Sequence, residues 1–207
     1  SSAASDLYKR QGITIALAHQ QFFPVFVASG LKDMGSGRIM GFIDDIAPSP
    51  MDRPKRVMED GSEVAYDPND KTTIFIYKTA TEPQVGLLSY FKVLSGTLRP
   101  GDELINADNG EIERISQLFV AEGKDRTPVN KLEAGDLGVT VKLKSAHTNN
   151  TLNAKGLNRK VRPMEFPESR VRKAVSAESS AETEKLFAAL NKIKEEDPTL
   201  KVDIDHD

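Results

Sequence analysis

From Thr73 to Leu143 the chain returns again and again to short apolar runs of period two, each closed by turn-forming residues. Ile74 and Ile76 alternate with Phe75 and Tyr77, and the runs Val85 to Leu94, Glu103 to Ala107, Ile112 to Val120 and Leu137 to Leu143 follow. Successive side chains of a strand point to opposite faces, so this period fits strands rather than helices. Between the runs stand Ser95-Gly96, Pro100-Gly101-Asp102, Asn109-Gly110 and Gly135-Asp136. Asn109-Gly110, between Leu104-Ile105 and Ile112, predicts a hairpin on a type I′ turn, which needs positive φ at both central positions. Five or more strands at roughly ten-residue spacing predict a small closed or nearly closed β-barrel.

Both flanks read differently. In residues 1–50, Val25 to Ala28 behind Pro24 predict a short buried strand ended by Ser29-Gly30. Ile39, Phe42, Ile43 and Ile46 then recur at helical spacing, and Pro48 stops that helix near Ala47. The opening Ser1 to Asp6 lacks an initiator Met, a basic segment and an apolar run, so it reads as a cut end and not as a secretory signal. Residues 51–70 are rich in Pro, Asp and Gly without periodicity and read as a linker. In residues 161–207, Val171 to Ala177 suggest a strand, and Ser179 with Glu182 forms a capping-box pattern at a helix start. Leu186, Phe187, Leu190 and Ile193 make the stripe of that helix, and Asp197-Pro198 closes it. The expected fold is therefore mainly β with α/β flanks: 1–50, a linker over 51–70, a barrel over 71–160, and a truncated β–α unit over 161–207.

Composition narrows the chemistry. The 207 residues hold no cysteine, which removes disulfides, thiol nucleophiles and zinc fingers and fits a reducing compartment, the cytoplasm by default. The longest apolar stretch, Phe22 to Leu31, is broken by Pro24 and falls short of the ~20 residues of a membrane span. With 28 Lys and Arg against 31 Asp and Glu the chain is not globally basic. Its signs nonetheless separate, with a basic strip from Lys155 to Lys173 ahead of an acidic stretch from Glu178 to Asp207; the strip reads as a solvated linker or as a contact for a polyanion. His19, His147 and His206 show no ligand-like spacing, so no metal site is expected. No HExxH or GxSxG motif occurs. Gly30 to Ser36 has the glycine spacing of a phosphate loop but Ser36 where the lysine belongs, and Asn130 to Glu133 reads as a turn between strands. Asn149-Asn150-Thr151 is a glycosylation sequon without meaning in a cytoplasmic chain. No catalytic site is expected.

Four blocks, in order, resemble the translational GTPases, and within them the elongation factor G family. Phe23-Pro24-Val25-Phe26-Val27-Ala28-Ser29-Gly30, with Gly35 and the helix to Pro48, is similar to the end of the GTP-binding domain and its last nucleotide-contacting loop. Thr73 to Ala80, Gly86 to Gly96, and Thr97-Leu98-Arg99-Pro100-Gly101-Asp102-Glu103 resemble the opening of domain II, the family's barrel. Glu133-Ala134-Gly135-Asp136-Leu137-Gly138, with Lys142-Leu143 and Thr151-Leu152, resembles its close. Met164 to Glu168 and Lys185 to Thr199 resemble the start of domain III. Ala28-Ser29-Gly30 stands where the family usually has Gly-Ser-Ala, and His147 to Thr151 replaces a more usual Thr-Gly-Asp-Thr, the mark of a divergent paralogue.

The resemblance implies a closed barrel between the last part of a P-loop GTPase domain and the start of a ferredoxin-like α+β domain. It implies GTP as the cofactor of the intact parent, with Ser29 and Gly30 at the nucleotide. The phosphate loop, the switches and the Asn-Lys-x-Asp motif would lie before Ser1, so this stretch is not expected to bind or hydrolyse GTP alone. The implied partners are the ribosome, through its factor-binding site and small-subunit rRNA, and indirectly the tRNA–mRNA complex, with neither membrane nor DNA. Docking on RNA shape calls for phosphate neutralisation from rigid loops. Lys92 and Arg99, flanking the Ser95-Gly96 and Pro100-Gly101 turns, are the expected RNA-facing residues. Related ribosome-associated GTPases, namely ribosome-protection tetracycline resistance proteins and release factor three, remain open as readings, as does a stand-alone RNA- or peptide-binding barrel.

Overall fold

A computed structural model describes residues 2–177 and 179–203, so His206 and the end of the acidic stretch lie outside the described residues. The chain divides into two compact units, Ser1–Arg56 and Val57–Asp207.

In the first unit α1 (Ser2–Ala18) packs on α2 (Ser36–Ile46). The Thr14 hydroxyl donates to the Ile46 carbonyl at 3.0 Å, tying the body of α1 to the end of α2. The α2 helix forms as expected, with Ile39, Phe42 and Ile46 of its stripe half-buried but Ile43 52% exposed, and the Ala47 N–H closes the helix on the Phe42 carbonyl. The strand expected over residues 25–28 does not form: Val25 is 91% and Val27 97% exposed. A strand needs a ladder partner, and among the described residues this stretch has only the isolated bridge of Ser29 with Met34. Phe26 instead meets the Phe42 ring edge-on, centroids 4.9 Å apart.

The second unit is built of strands, the first of which begins at the last residue of the first unit. In chain order they are β1 (Arg56–Val57), β2 (Glu63–Val64), β3 (Thr73–Glu82), β4 (Gly86–Ser95), β5 (Thr97–Leu98), β6 (Glu103–Asn106), β7 (Ile112–Arg114), β8 (Leu118–Glu122), β9 (Asp125–Val129), β10 (Leu132–Glu133), β11 (Leu137–Val141) and β12 (Thr151–Asn153); α3 (Ser180–Glu196) follows. Eight of them form one antiparallel sheet in the order β7-β6-β12-β3-β4-β11-β8-β9, while β1-β2 and β5-β10 form two short ribbons. Side chains from both halves of that order, Leu104 and Leu152 on one side and Phe91 and Leu118 on the other, share one buried cluster. Strands lie about 4.8 Å apart, so a flat sheet could not bring them together; the sheet is curled round its core. Two register shifts in the β3–β4 ladder, at Thr73/Ile74 and Ile76/Lys78, bend the longest strands in that sense. Among the described residues the ladders run as a series from β7 to β9 wrapped round a shared core.

The Asn109-Gly110 hairpin is present with a longer loop than a type I′ turn. The Asn106 N–H meets the Glu111 carbonyl at 2.9 Å, which leaves four residues in the loop, and only Gly110 among them has positive φ. The Asn106 side chain explains the difference, since its Oδ1 accepts from the Asp108 N–H at 2.9 Å and turns the chain early. Residues 57–70, read as linker from sequence, pack on the sheet: Met58, Val64 and Tyr66 are buried in a second cluster with Phe75, Leu94 and Val161. The α3 helix starts at its expected cap, where Ser179 Oγ accepts from the Glu182 N–H. No strand forms over 171–177. The C-terminal end of α3 docks beside β3, where the Thr79 hydroxyl donates to the Glu195 carbonyl at 2.7 Å and the Thr81 N–H to Glu196 Oε1 at 2.6 Å. Among the described residues no helix is long and apolar enough to cross a membrane.

Candidate nucleic-acid interface

Arg99 stands on a turn whose backbone is fixed from several directions. Its own N–H donates to Asp102 Oδ2 at 2.7 Å. The Gly101 N–H donates to the Ile115 carbonyl at 2.7 Å, and the Ile115 N–H donates to the Asp102 carbonyl at 2.9 Å. Gly101 has φ +96°, a conformation that glycine adopts without a Cβ penalty. The preceding Leu98 is fully buried and pairs with Leu132 of β10. The guanidinium itself is exposed and makes no ion pair among the described residues. A rigid loop thus holds a free cation toward solvent.

Lys92 is placed differently. It sits in mid-β4, paired with Phe75 on one side and Leu137 on the other, and is half-buried. Its ammonium lies 4.8 Å from the centre of the Tyr66 ring. That cation–π contact engages Lys92 with the second core cluster while leaving its charge uncompensated by a carboxylate. No hydrogen bond or ion pair joins Lys92 to Arg99 among the described residues.

Sequence reasoning passed over Lys131. The stretch Asn130 to Glu133, read as a turn, contributes β10, whose register is Leu132 with Leu98 and Glu133 with Thr97. Lys131 and Arg99 are the residues that flank this ribbon next to the Leu132–Leu98 pair. Its ammonium pairs with Glu133 Oε1 at 2.6 Å across an exposed surface, a contact worth little in water. The available signal was the match of Leu132-Glu133 to Thr97-Leu98 as a two-residue ribbon, too short for periodicity to reveal.

The basic strip from Lys155 to Lys173 splits into two kinds of cation. Arg159 donates to Ser95 Oγ and to Asp70 Oδ2, each at 2.8 Å, and its carbonyl accepts from Asn153 Nδ2 at 2.7 Å. Burial pushes the Asp70 carboxyl up, but hydrogen bonds from Arg159 and the Lys71 N–H outweigh it and hold Asp70 below the ordinary carboxylate range. Lys160 bridges Asp108 at 3.1 Å and Glu59 at 3.6 Å, and the Asp108 hydrogen bond raises its pKa. Arg159 thus fastens the segment after β12 to the sheet, while Lys160 faces two carboxylates at the surface. Lys155, Arg162, Arg170, Arg172 and Lys173 are exposed.

In the first unit, Ser29 and Gly30 open a tight loop. Ser29 and Met34 exchange backbone hydrogen bonds at 2.9 and 3.0 Å, and the Ser36 hydroxyl donates to Asp33. The Ser29 N–H is therefore occupied, whereas nothing stands within 4 Å of the place where a Gly30 side chain would be. Of the described histidines, His19 is exposed and His147 Nδ1 lies 2.8 Å from Glu195 Oε1. No group of three His, Asp or Glu suited to a metal occurs among the described residues.

Comparison with known proteins gives a consistent answer. The family model "Elongation factor G domain 2" matches residues 71–155, and "Elongation Factor G, domain III" matches residues 166–207. Elongation factor G of Mycoplasma pneumoniae is 34% identical over 185 residues, which are 87% of this chain and 27% of that protein. Elongation factor G of Mycoplasma genitalium is 31% identical over 196 residues, 93% of this chain and 28% of that protein. A crystal structure of a Thermus thermophilus protein superimposes with a TM-score of 0.77 at 25% identity, covering 94% of this chain and 27% of the other. The chain thus spans little more than a quarter of the length of these relatives.

Proposed function

The chain belongs to the elongation factor G family, and from that membership we propose that it is part of a ribosomal translocase. As a member of that family it is a translation elongation factor. The intact protein works in the cytoplasm, binds GTP, enters the factor-binding site of the ribosome and promotes movement of tRNA and mRNA. The curled sheet docks on small-subunit rRNA. Arg99 neutralises a backbone phosphate from its fixed turn, with Lys131 beside it, and Lys92 adds positive potential from the adjoining strand. RNA recognition of this kind reads shape and phosphate positions, which a rigid display of cations suits.

The observation that carries this reading is the turn from Arg99 to Asp102, hydrogen-bonded at both ends with its cation unpaired. For GTP, Gly30 supports a contact in which its N–H, which donates no backbone hydrogen bond among the described residues, meets the guanine carbonyl oxygen, with Ser29 shaping the loop. When bound, GTP supplies the hydrolysable phosphate; Ser29 and Gly30 only hold the base.

The test is ribosome binding by the full-length factor carrying Arg99→Glu, measured across salt concentrations. The variant is expected to bind more weakly at low salt, with the slope of log affinity against log salt reduced by about 1. Unchanged affinity and slope would remove Arg99 from the interface.

A further inference from the structure

A cavity of about 460 Å3 opens on the second unit away from Arg99, Lys131 and Lys92, where the β3–β4 turn, the β8–β9 turn, the residue ahead of β8 and the end of β11 converge. It is an open groove rather than an enclosed cavity, with room for a small ligand laid along the surface. Three cations line it, Lys124, Arg126 and Lys142, against one carboxylate, Asp125. Arg126 is fixed by two hydrogen bonds of 2.7 Å to the carboxylate oxygens of Glu82. Lys124 and Lys142 are exposed and make no ion pair among the described residues. Two lysines without ion-pair partners thus line one space beside a single carboxylate.

The backbone supplies an independent observation. Five non-glycine residues have positive φ among those described, and two of them, Gln84 at 71° and Lys142 at 63°, line this one cavity. Neither side chain can offset the left-handed conformation by the local hydrogen bonds open to Asn or Asp. Such strain gathers at ligand clamps, where the surrounding structure imposes it. At Lys142 it falls on the first residue after β11, whose last pair is Val141 with Leu88. At Gln84 it follows Pro83 in the connection between the two longest strands, where a turn with Pro at its first central position itself calls for positive φ at the next, so Lys142 alone of the two lacks a local cause.

We infer that this cavity binds a nucleoside phosphate. Lys124 and Lys142 take the phosphate. Asp125 accepts hydrogen bonds from the ribose hydroxyls. The base lies against the half-buried Phe119 ring and Val85, with the amides of Gln84 and Gln117 at its polar edge. A bare phosphate would use the lysines and leave a carboxylate, two amides and an apolar wall without a role. The inference stands independently of the rRNA contact proposed above, and the Ser29–Gly30 loop lies in the other unit.

The experiment is an NMR titration of the isotope-labelled 207-residue chain with AMP, with inorganic phosphate and with a short single-stranded oligoadenylate. AMP is expected to shift the amide signals of Gln84, Gln117, Phe119 and Lys142 saturably, with phosphate binding at least about tenfold more weakly. Tighter binding of AMP than of the oligonucleotide assigns a free nucleotide as ligand, and the reverse assigns a nucleotide within an RNA strand; both bear out the site. Lys124→Glu and Lys142→Glu should each weaken AMP binding by about tenfold or more. Lys142→Gly should weaken binding while raising the thermal midpoint, because glycine relieves the left-handed backbone. The inference is overturned by any one of four results: no saturable shifts with AMP or oligoadenylate; shifts centred on Ser29 and Gly30; phosphate equal to AMP; or a Lys142→Gly variant that gains stability and keeps full affinity.

Discussion

Glu113 offers the sharpest quantitative test of how the curled sheet is held together. Its side chain is almost fully buried, 1% exposed, on β7. It accepts from the Lys144 N–H at 2.8 Å, the Ser145 N–H at 2.7 Å and the Ser145 hydroxyl at 3.0 Å. The carboxylate thus replaces a ladder partner for the chain just after β11 and fastens the route toward β12. Hydrogen bonds to a charged group contribute about 1.5–3 kcal/mol each. Glu113→Ala removes the two backbone bonds and leaves their donors partly buried, so the loss is about 3–5 kcal/mol. Glu113→Gln keeps one acceptor oxygen but sets an amide donor against a backbone donor, for a loss of about 2–3 kcal/mol. Urea unfolding of the two variants followed by circular dichroism measures both losses. For a unit of this size the alanine change should lower the thermal midpoint on the order of 10 °C. A loss below about 1 kcal/mol for Glu113→Ala would refute the reasoning.

Gly96 has φ +76°, and a Cβ there would lie 2.6 Å from the backbone of Thr72, so Gly96→Ala should destabilise by more than about 3 kcal/mol; denaturant unfolding within about 1 kcal/mol of the parent would contradict it. Asp70 is held below its ordinary pKa, so the stability from its pairing is fully present above about pH 4 and is lost as pH falls through the depressed folded value. Asp70→Asn should therefore flatten the acid limb of a stability-against-pH curve below about pH 4, and an unaltered limb would count against the Asp70–Arg159 contact.

The long β3–β4 hairpin was legible because Ile74, Ile76, Phe91 and Val93 alternate with residues of the other face over enough length for period two to register. Helices α2 and α3 were legible from their apolar stripes, and α3 also from the Ser179 cap. Helix α1 carries neither a cap signal nor a clean stripe, so no pattern in its residues announces it. On β7 the alternation misleads: Ile112 is 58% exposed while Glu113 is buried, because three hydrogen bonds satisfy the carboxylate that an apolar scale would send outward. Val25 to Ala28 mislead in the opposite direction, since apolar composition without a ladder partner does not make a strand. Arg99 was readable as a turn residue. Lys131 depends on a two-residue ribbon between distant segments, and the cavity gathers residues from turns far apart in sequence, of which only Pro83-Gln84 carries a local turn signal.

The family assignment and the proposed role meet in one measurement, the GTP hydrolysis rate of the intact protein with and without ribosomes. The account predicts slow hydrolysis by the factor alone and a marked rise when ribosomes are added. A rate that ribosomes leave unchanged, or no hydrolysis in either condition, would contradict it.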